Sequence, residues 1–158
     1  IEAADKALYC DIFSDPEVTR YTGGAVIGER LNLGFNQSVE AFKASPINYI
    51  TWVVRTKKPE VGIGILNLTL HDRPCATAEL GIMFKKAYQN KGFCCELLAM
   101  MVAYCFNQIN LTSLYCFTMD DNKAVSHVLQ KLNFEKLTVA PYEQPTSAGS
   151  YWGIYRVE

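Results

Sequence analysis

One stretch limits the possible folds more than any other. Thr77 to Phe84 (Thr-Ala-Glu-Leu-Gly-Ile-Met-Phe) reads as a strand. A polar, glycine-containing turn follows, Ala87-Tyr-Gln-Asn-Lys-Gly92, and then an apolar run from Phe93 to about Gln108 whose only charge is Glu96. A strand, a polar turn and a helix apolar on all sides form a unit in which the helix packs on a sheet and is covered by other elements. The turn sits at the helix N-terminus. The first backbone N–H groups there lack intrahelical partners, and the helix dipole adds partial positive charge, so the place suits a phosphate-type anion. It is not a nucleotide P-loop, because no Lys-Ser/Thr pair follows Gly92.

The flanking sequence predicts a mixed α/β order. Ala4–Phe13 reads as a helix. Asp15-Pro16-Glu17-Val18 predicts another helical turn, capped by Asp15 with Pro16 at its first position. Gly23-Gly24 is a break. Glu29–Lys43 carries Leu31, Phe35, Val39 and Phe42 at helical spacing. Tyr49–Arg55 and Val61–Leu70 read as strands joined by the turn Lys57-Lys58-Pro59-Glu60, which predicts a hairpin. After the apolar helix come a strand at Ser113–Met119 and a helix at Asn122–Leu132, with Asp120 and Asp121 as cap candidates and Asn133 as its left-handed end. Strands at Phe134–Val139 and Tyr151–Val157 flank the loop Pro141–Ser150. An antiparallel meander thus feeds a β-α-β-α-β segment.

Composition narrows the function classes. The 158 residues predict one domain over residues 1–158. A net charge of −1 gives no pull toward nucleic acid or an anionic membrane. No apolar run reaches the ~20 residues of a membrane span. The six cysteines form no Cys-x-x-Cys pair, and only His71 and His127 could join a metal site, so no metal is expected. Most of these cysteines lie in apolar runs, as reduced thiols do, and this fits the cytoplasm. The chain starts at Ile1 without a Met.

Several motifs in this order and spacing resemble the GNAT N-acetyltransferase superfamily, in particular the branch of RimJ- and RimL-like ribosomal-protein N-acetyltransferases. In that family the acetyl-CoA pyrophosphate turn reads Gln/Arg-x-x-Gly-x-Gly/Ala, and Gln89, Gly92 and Cys94 fall on those positions. Ala78-Glu79-Leu80-Gly81-Ile82 resembles the family's Ala-Glu-Ile-Gly-Tyr strand. Asn122 and Gln130-Lys131-Leu132-Asn133-Phe134 match its later Asn and Glu-Lys-Leu-Gly-Phe. Asp15-Pro16-Glu17-Val18-Thr19-Arg20-Tyr21 looks like this branch's opening.

The resemblance implies a GNAT-like mixed, mostly antiparallel sheet with helices on both faces, a splayed acetyl-CoA groove, and a first strand upstream of Ile1. It implies acetyl transfer from acetyl-CoA to a primary amine, either a protein N-terminus or a small molecule, directly in a ternary complex. Backbone of Ile82, Met83 and Phe84 would hold the pantetheine. Gln89, Asn90, Lys91, Gly92, Phe93, Cys94 and Cys95 would hold the pyrophosphate, and Asn122 would bond near the cofactor arm. Glu79 is the candidate general base, since a carboxylate in a partly desolvated place has the raised pKa that deprotonating an ammonium needs. The chain departs from the family at two positions. Cys94 replaces a small residue, and Leu129 stands where many members carry a Tyr general acid. At a helix N-terminus Cys94 is expected to have a lowered thiol pKa, so that Cys94 or Cys95 is alkylated readily and is protected by acetyl-CoA. The alternative is a non-catalytic acyl-CoA-binding or regulatory module. The expected state is a monomer or homodimer, with no nucleic-acid or membrane partner.

Overall fold

Asp15 shows how closely local sequence sets local structure in this computed structural model. Its carboxylate accepts from the N–H groups of Glu17 at 2.8 Å and Val18 at 3.3 Å, and Pro16 opens the short helix behind it. The structure describes residues 1–71, 76–141 and 148–156. In chain order the elements are α1 (Lys6–Phe13), α2 (Pro16–Thr19), α3 (Gly28–Ala41), β1 (Tyr49–Arg55), β2 (Gly62–His71), β3 (Thr77–Phe84), α4 (Phe93–Asn107), β4 (Ser113–Met119), α5 (Lys123–Lys131), β5 (Glu135–Lys136) and β6 (Gly149–Tyr155). The strands form a six-stranded, mostly antiparallel sheet in the order β1-β2-β3-β4-β6-β5. This is the mixed α/β class expected from the sequence.

The chain divides into two compact units. The first comprises Ile1–Thr69 and Gly81–Gln89. Its core gathers Tyr9 and Ile12 from α1, Val18 from α2, Phe35 from α3 and Ile65 from β2, with Val53 and Met83 packed against them. Tyr9 stacks on Phe13 at 4.2 Å between ring centroids and meets Phe35 edge-on at 5.4 Å. Arg55 at the end of β1 pairs with the buried Asp5. The expected hairpin is present: β1 and β2 pair antiparallel, with Val53 opposite Ile65.

The second unit comprises Leu70–Leu80 and Asn90–Glu158. In it β3 pairs parallel with β4 over Thr77–Glu79, β4 antiparallel with β6, and β6 antiparallel with β5. Leu114, Cys116 and Thr118 are buried, while Tyr115, Phe117 and Met119 are half-buried, so β4 alternates between two faces. α4 lies against β4 and α5.

Several expectations need correction. α4 is not buried all round. Leu97, Leu98, Met101 and Cys105 are buried, but Ala99, Met100, Ala103 and Tyr104 are exposed, with Met100 at 58%. An apolar composition does not reveal which flank is covered, and single exposed apolar residues are ordinary. The cap of α5 is Asn122 itself, not Asp120 or Asp121: its Oδ1 accepts from the Val125 N–H at 3.4 Å. Asp120 instead accepts from Ser150 Oγ at 2.7 Å and Lys136 Nζ at 3.2 Å.

The strand expected over Phe134–Val139 is only Glu135–Lys136, because Phe134 is still part of the helix ending. There Asn133 has a φ of 61°, its N–H reaches Gln130 O at 3.0 Å, and the Phe134 N–H reaches Leu129 O at 3.0 Å. This pair of bonds is a Schellman motif, closed by contact-sized apolar residues, Leu129 and Phe134, that are both buried. The last strand begins earlier than expected, at Gly149, and ends at Tyr155. Val157, Cys75, Glu143 and most of the loop Pro141–Ser150 lie outside the described residues. No helix among the described residues is long and apolar enough to cross a membrane.

Candidate active site

The turn before α4 is built by two residues in the left-handed region, Asn90 (φ 58°) and Gly92 (φ 85°). Gly92 is the N-cap of α4 and supplies no side-chain cap. A Cβ at Gly92 would meet nothing within 4 Å, so the glycine answers to backbone conformation rather than to crowding. The N-terminus of a 15-residue helix is thereby left without a cap from its own N-cap side chain. That arrangement suits an anionic group at the helix N-terminus.

Gln89 has a more local role than expected. Its Nε2 donates to the Phe84 carbonyl at 3.0 Å, which ties the turn back to the end of β3. Lys91 is exposed, and Phe93, Cys94 and Cys95 are half-buried in the first turn of α4. In the first unit Ile82 and Met83 are half-buried and Phe84 is buried; Met83 also takes a 3.7 Å contact from Thr22 Oγ1 on its sulfur.

The lowered thiol pKa expected for Cys94 runs against its burial. Burial pushes its thiol up to about 11, with the neighbouring Cys95 adding to the effect. Desolvation of the thiolate outweighs the helix dipole because the side chain turns inward, into the electrostatic range of Cys116. Leu129 is fully buried at the end of α5, a packing position closed to proton chemistry.

Glu79 lies on β3 in the second unit, half-buried, opposite Tyr115 of β4. Burial raises its carboxyl above the ordinary range. A hydrogen bond from Tyr151 and the charge of His71 oppose that rise without cancelling it. The Tyr151 hydroxyl donates to Glu79 Oε2 at 3.3 Å. Sequence reasoning missed both neighbours. In the sequence His71 stands out only as a possible metal ligand; it is half-buried at the end of β2. Tyr151 was read only as part of a strand; the alternation Tyr151, Gly153, Tyr155 was a signal that an aromatic face lay there. At Gly81, two residues past Glu79, a Cβ would meet nothing within 4 Å. Asn122 spends its Oδ1 on the α5 cap, which leaves Nδ2 as the end of its amide that can donate outward. Among the described residues no three His, Cys, Asp or Glu side chains gather as metal ligands.

Known proteins with this arrangement point one way. The uncharacterized N-acetyltransferase p20 of Bacillus licheniformis is 25% identical over 142 residues, covering 86% of this chain and 76% of its own. The fold matches a GNAT-family acetyltransferase from Bacillus anthracis with a TM-score of 0.76 at 19% identity, over 98% of this chain and 91% of that one. It also matches a spermidine N-acetyltransferase from Vibrio cholerae, solved with CoA and spermine, with a TM-score of 0.81 at 16% identity, over 98% of this chain and 92% of that one. The family model of the acetyltransferase (GNAT) domain matches residues 1–135. The chain therefore belongs to the GNAT acetyltransferase family, enzymes that take their acetyl group from acetyl-CoA.

Proposed function

We propose that residues 1–158 work as one domain that transfers acetyl from acetyl-CoA to a primary amine, directly in a ternary complex, with Glu79 as general base. The observation that carries this reading is the half-buried Glu79 carboxylate, whose pKa is raised by desolvation. An amine arrives mostly as its ammonium ion and must lose a proton before it can attack. A carboxylate with a raised pKa accepts that proton, directly or through water, more readily than an ordinary one. The neutral nitrogen then attacks the thioester carbonyl carbon. A C–N bond forms, the C–S bond breaks, and the second nitrogen proton ends on the departing thiolate, giving the amide and free CoA. No side chain is assigned as general acid, since Leu129 occupies the position where many relatives of this fold carry a Tyr.

Acetyl-CoA would be held largely by backbone. The strand segment Ile82–Phe84 would bond the pantetheine, and the N–H groups of Asn90 to Cys95 would bond the pyrophosphate. Gln89 would act by fixing the turn, Lys91 by its charge beside the phosphates, and Asn122 through its Nδ2. The opening Asp15-Pro16-Glu17-Val18-Thr19-Arg20-Tyr21, which resembles that of the RimJ- and RimL-like branch, supports placement there. The acceptor would be a peptide N-terminus or a small-molecule amine. The reading places the protein in the cytoplasm, as a monomer or homodimer without nucleic-acid or membrane partners; the free thiols of Cys94, Cys105 and Cys116 support a reducing compartment.

The test follows free CoA release across a peptide with a free N-terminus, an amino acid, spermidine and an aminoglycoside. Glu79→Gln should lower kcat/KM by ~10²–10⁴-fold, with acetyl-CoA affinity little changed. Equal rates and parallel pH profiles would remove Glu79 from the proton transfer. Acetyl-CoA binding without turnover on any amine would favour the non-catalytic module instead.

A further inference from the structure

The sheet face around Glu79 is aromatic, and the aromatic packing leads to one residue. Tyr115 lies directly opposite Glu79, and Gly153 of β6 lies opposite Tyr115. Gly153 offers no side chain at that nearest position. A Cβ there would sit 3.0 Å from Cε1 of Tyr115, so the Tyr115 ring lies over the glycine. Two residues along β6, on the same face, is Tyr151, opposite Phe117. From this diagonal position its long phenol reaches past the glycine to the Glu79 carboxylate.

The Tyr151 ring is held in place. Phe117 packs against it edge-on at 5.2 Å between centroids. Phe117 in turn fits only because residue 149 is glycine, where a Cβ would come within 2.5 Å of the Phe117 ring. Tyr151 is 4% exposed, so it is not placed to touch an acceptor itself.

We propose that Tyr151 is a positioning residue for acetyl transfer, fixing the orientation of the Glu79 carboxylate through the hydrogen bond from its hydroxyl. The proposal rests on the reading of Glu79 as general base. The titratable groups around Glu79 are Tyr151 on β6, Tyr115 directly opposite it on β4 and His71 at the end of β2; Cys116, on the other face of β4, is within electrostatic range. Burial raises the carboxyl, and Tyr151 is the larger of the two influences that lower it. The hydroxyl therefore favours the ionised carboxylate against the effect of burial. At 3.3 Å the bond is long for a phenol and a carboxylate, so its influence is moderate.

The test is Tyr151→Phe, which keeps the ring and its packing and removes only the hydroxyl. The acidic limb of kcat/KM against pH, measured with the best amine of the panel, should move up by about one unit, a roughly tenfold loss below both midpoints. Rates well above the limb and the KM for acetyl-CoA should stay near wild type. The amine's own titration is common to both proteins and cancels in the comparison. A carbon-13 titration of the Glu79 carboxyl, which needs no substrate, should show the same upward move. An unmoved limb and an unmoved carboxyl titration, with Glu79→Gln still slow, would overturn the role of Tyr151 alone. A Glu79→Gln enzyme as fast as wild type would overturn the base reading and the Tyr151 role with it.

Discussion

The N-termini of α4 and α5 lie in the same unit and are built in opposite ways. α5 is sealed by its own residue: Asn122 Oδ1 accepts from the Val125 N–H. α4 begins at Gly92, which has no side chain to offer, after a turn with two left-handed residues. A sealed end stabilises its own helix, typically by ~1 kcal/mol. An end not sealed by its N-cap side chain forgoes that stabilisation and keeps donors and dipole for a ligand. α2, closed by Asp15, belongs with α5. In the proposed function, the α4 end gives up that local stability in favour of binding acetyl-CoA.

The comparison breaks most visibly at Gly92. Its φ of 85° means that any side chain costs about 1–2 kcal/mol of backbone strain, while nothing crowds a Cβ there. Gly92→Ala and Gly92→Glu pay the same strain, and only Glu adds negative charge. The thermal shift caused by acetyl-CoA, worth ~2.7 kcal/mol at a hundredfold excess over Kd, should survive at least in part in Gly92→Ala and vanish in Gly92→Glu. Loss of the shift in both would make the turn's conformation, not its charge, decisive.

A smaller effect sharpens the sealed side. Asn122→Ala removes cap and donor together and should destabilise the apo protein by about 1 kcal/mol. Asn122→Asp keeps the capping oxygen but loses Nδ2. It should stay near wild-type stability while weakening acetyl-CoA if the outward amide bonds the cofactor arm. Thermal melts with and without acetyl-CoA separate the two functions of this one side chain.

The smallest effect is at Cys94, in the first turn of α4. With its thiol pushed up to about 11, only about 0.1% is thiolate at pH 8, so alkylation should be slow and should rise tenfold per pH unit until the thiol titrates. Mass-spectrometric labelling over a pH series checks it. Fast labelling at pH 7 would show that the helix dipole prevails over burial after all.

What the sequence disclosed follows the range of the forces involved. Asp15-Pro16, Asn133 and the hairpin around Lys57–Glu60 act over a few residues and were read correctly. The cap of α5 was placed too early because Asp120, Asp121 and Asn122 are all competent caps; Asp120 is drawn away by Ser150 and Lys136, distant in sequence. The exposed flank of α4 was hidden because apolar residues surround that helix in sequence, whatever covers it in space. In the candidate site, the turn and Glu79 were legible from motifs. Tyr151 and His71 were not, since they meet Glu79 through strand pairing and chain return. The inward turn of Cys94 depends on packing beneath α4, which no local pattern encodes.

The most direct measurement is an amide NMR titration of nitrogen-15-labelled protein with acetyl-CoA and, separately, with S-acetyl-pantetheine, which lacks the pyrophosphate. Backbone N–H signals from Asn90 to Glu96 should move with acetyl-CoA and stay in place with the pantetheine thioester, while those of Lys123 to Ser126 should not distinguish the two. Equal movement of the Asn90–Glu96 amides with both ligands, or none with acetyl-CoA, would contradict the assignment of the open α4 end to the pyrophosphate.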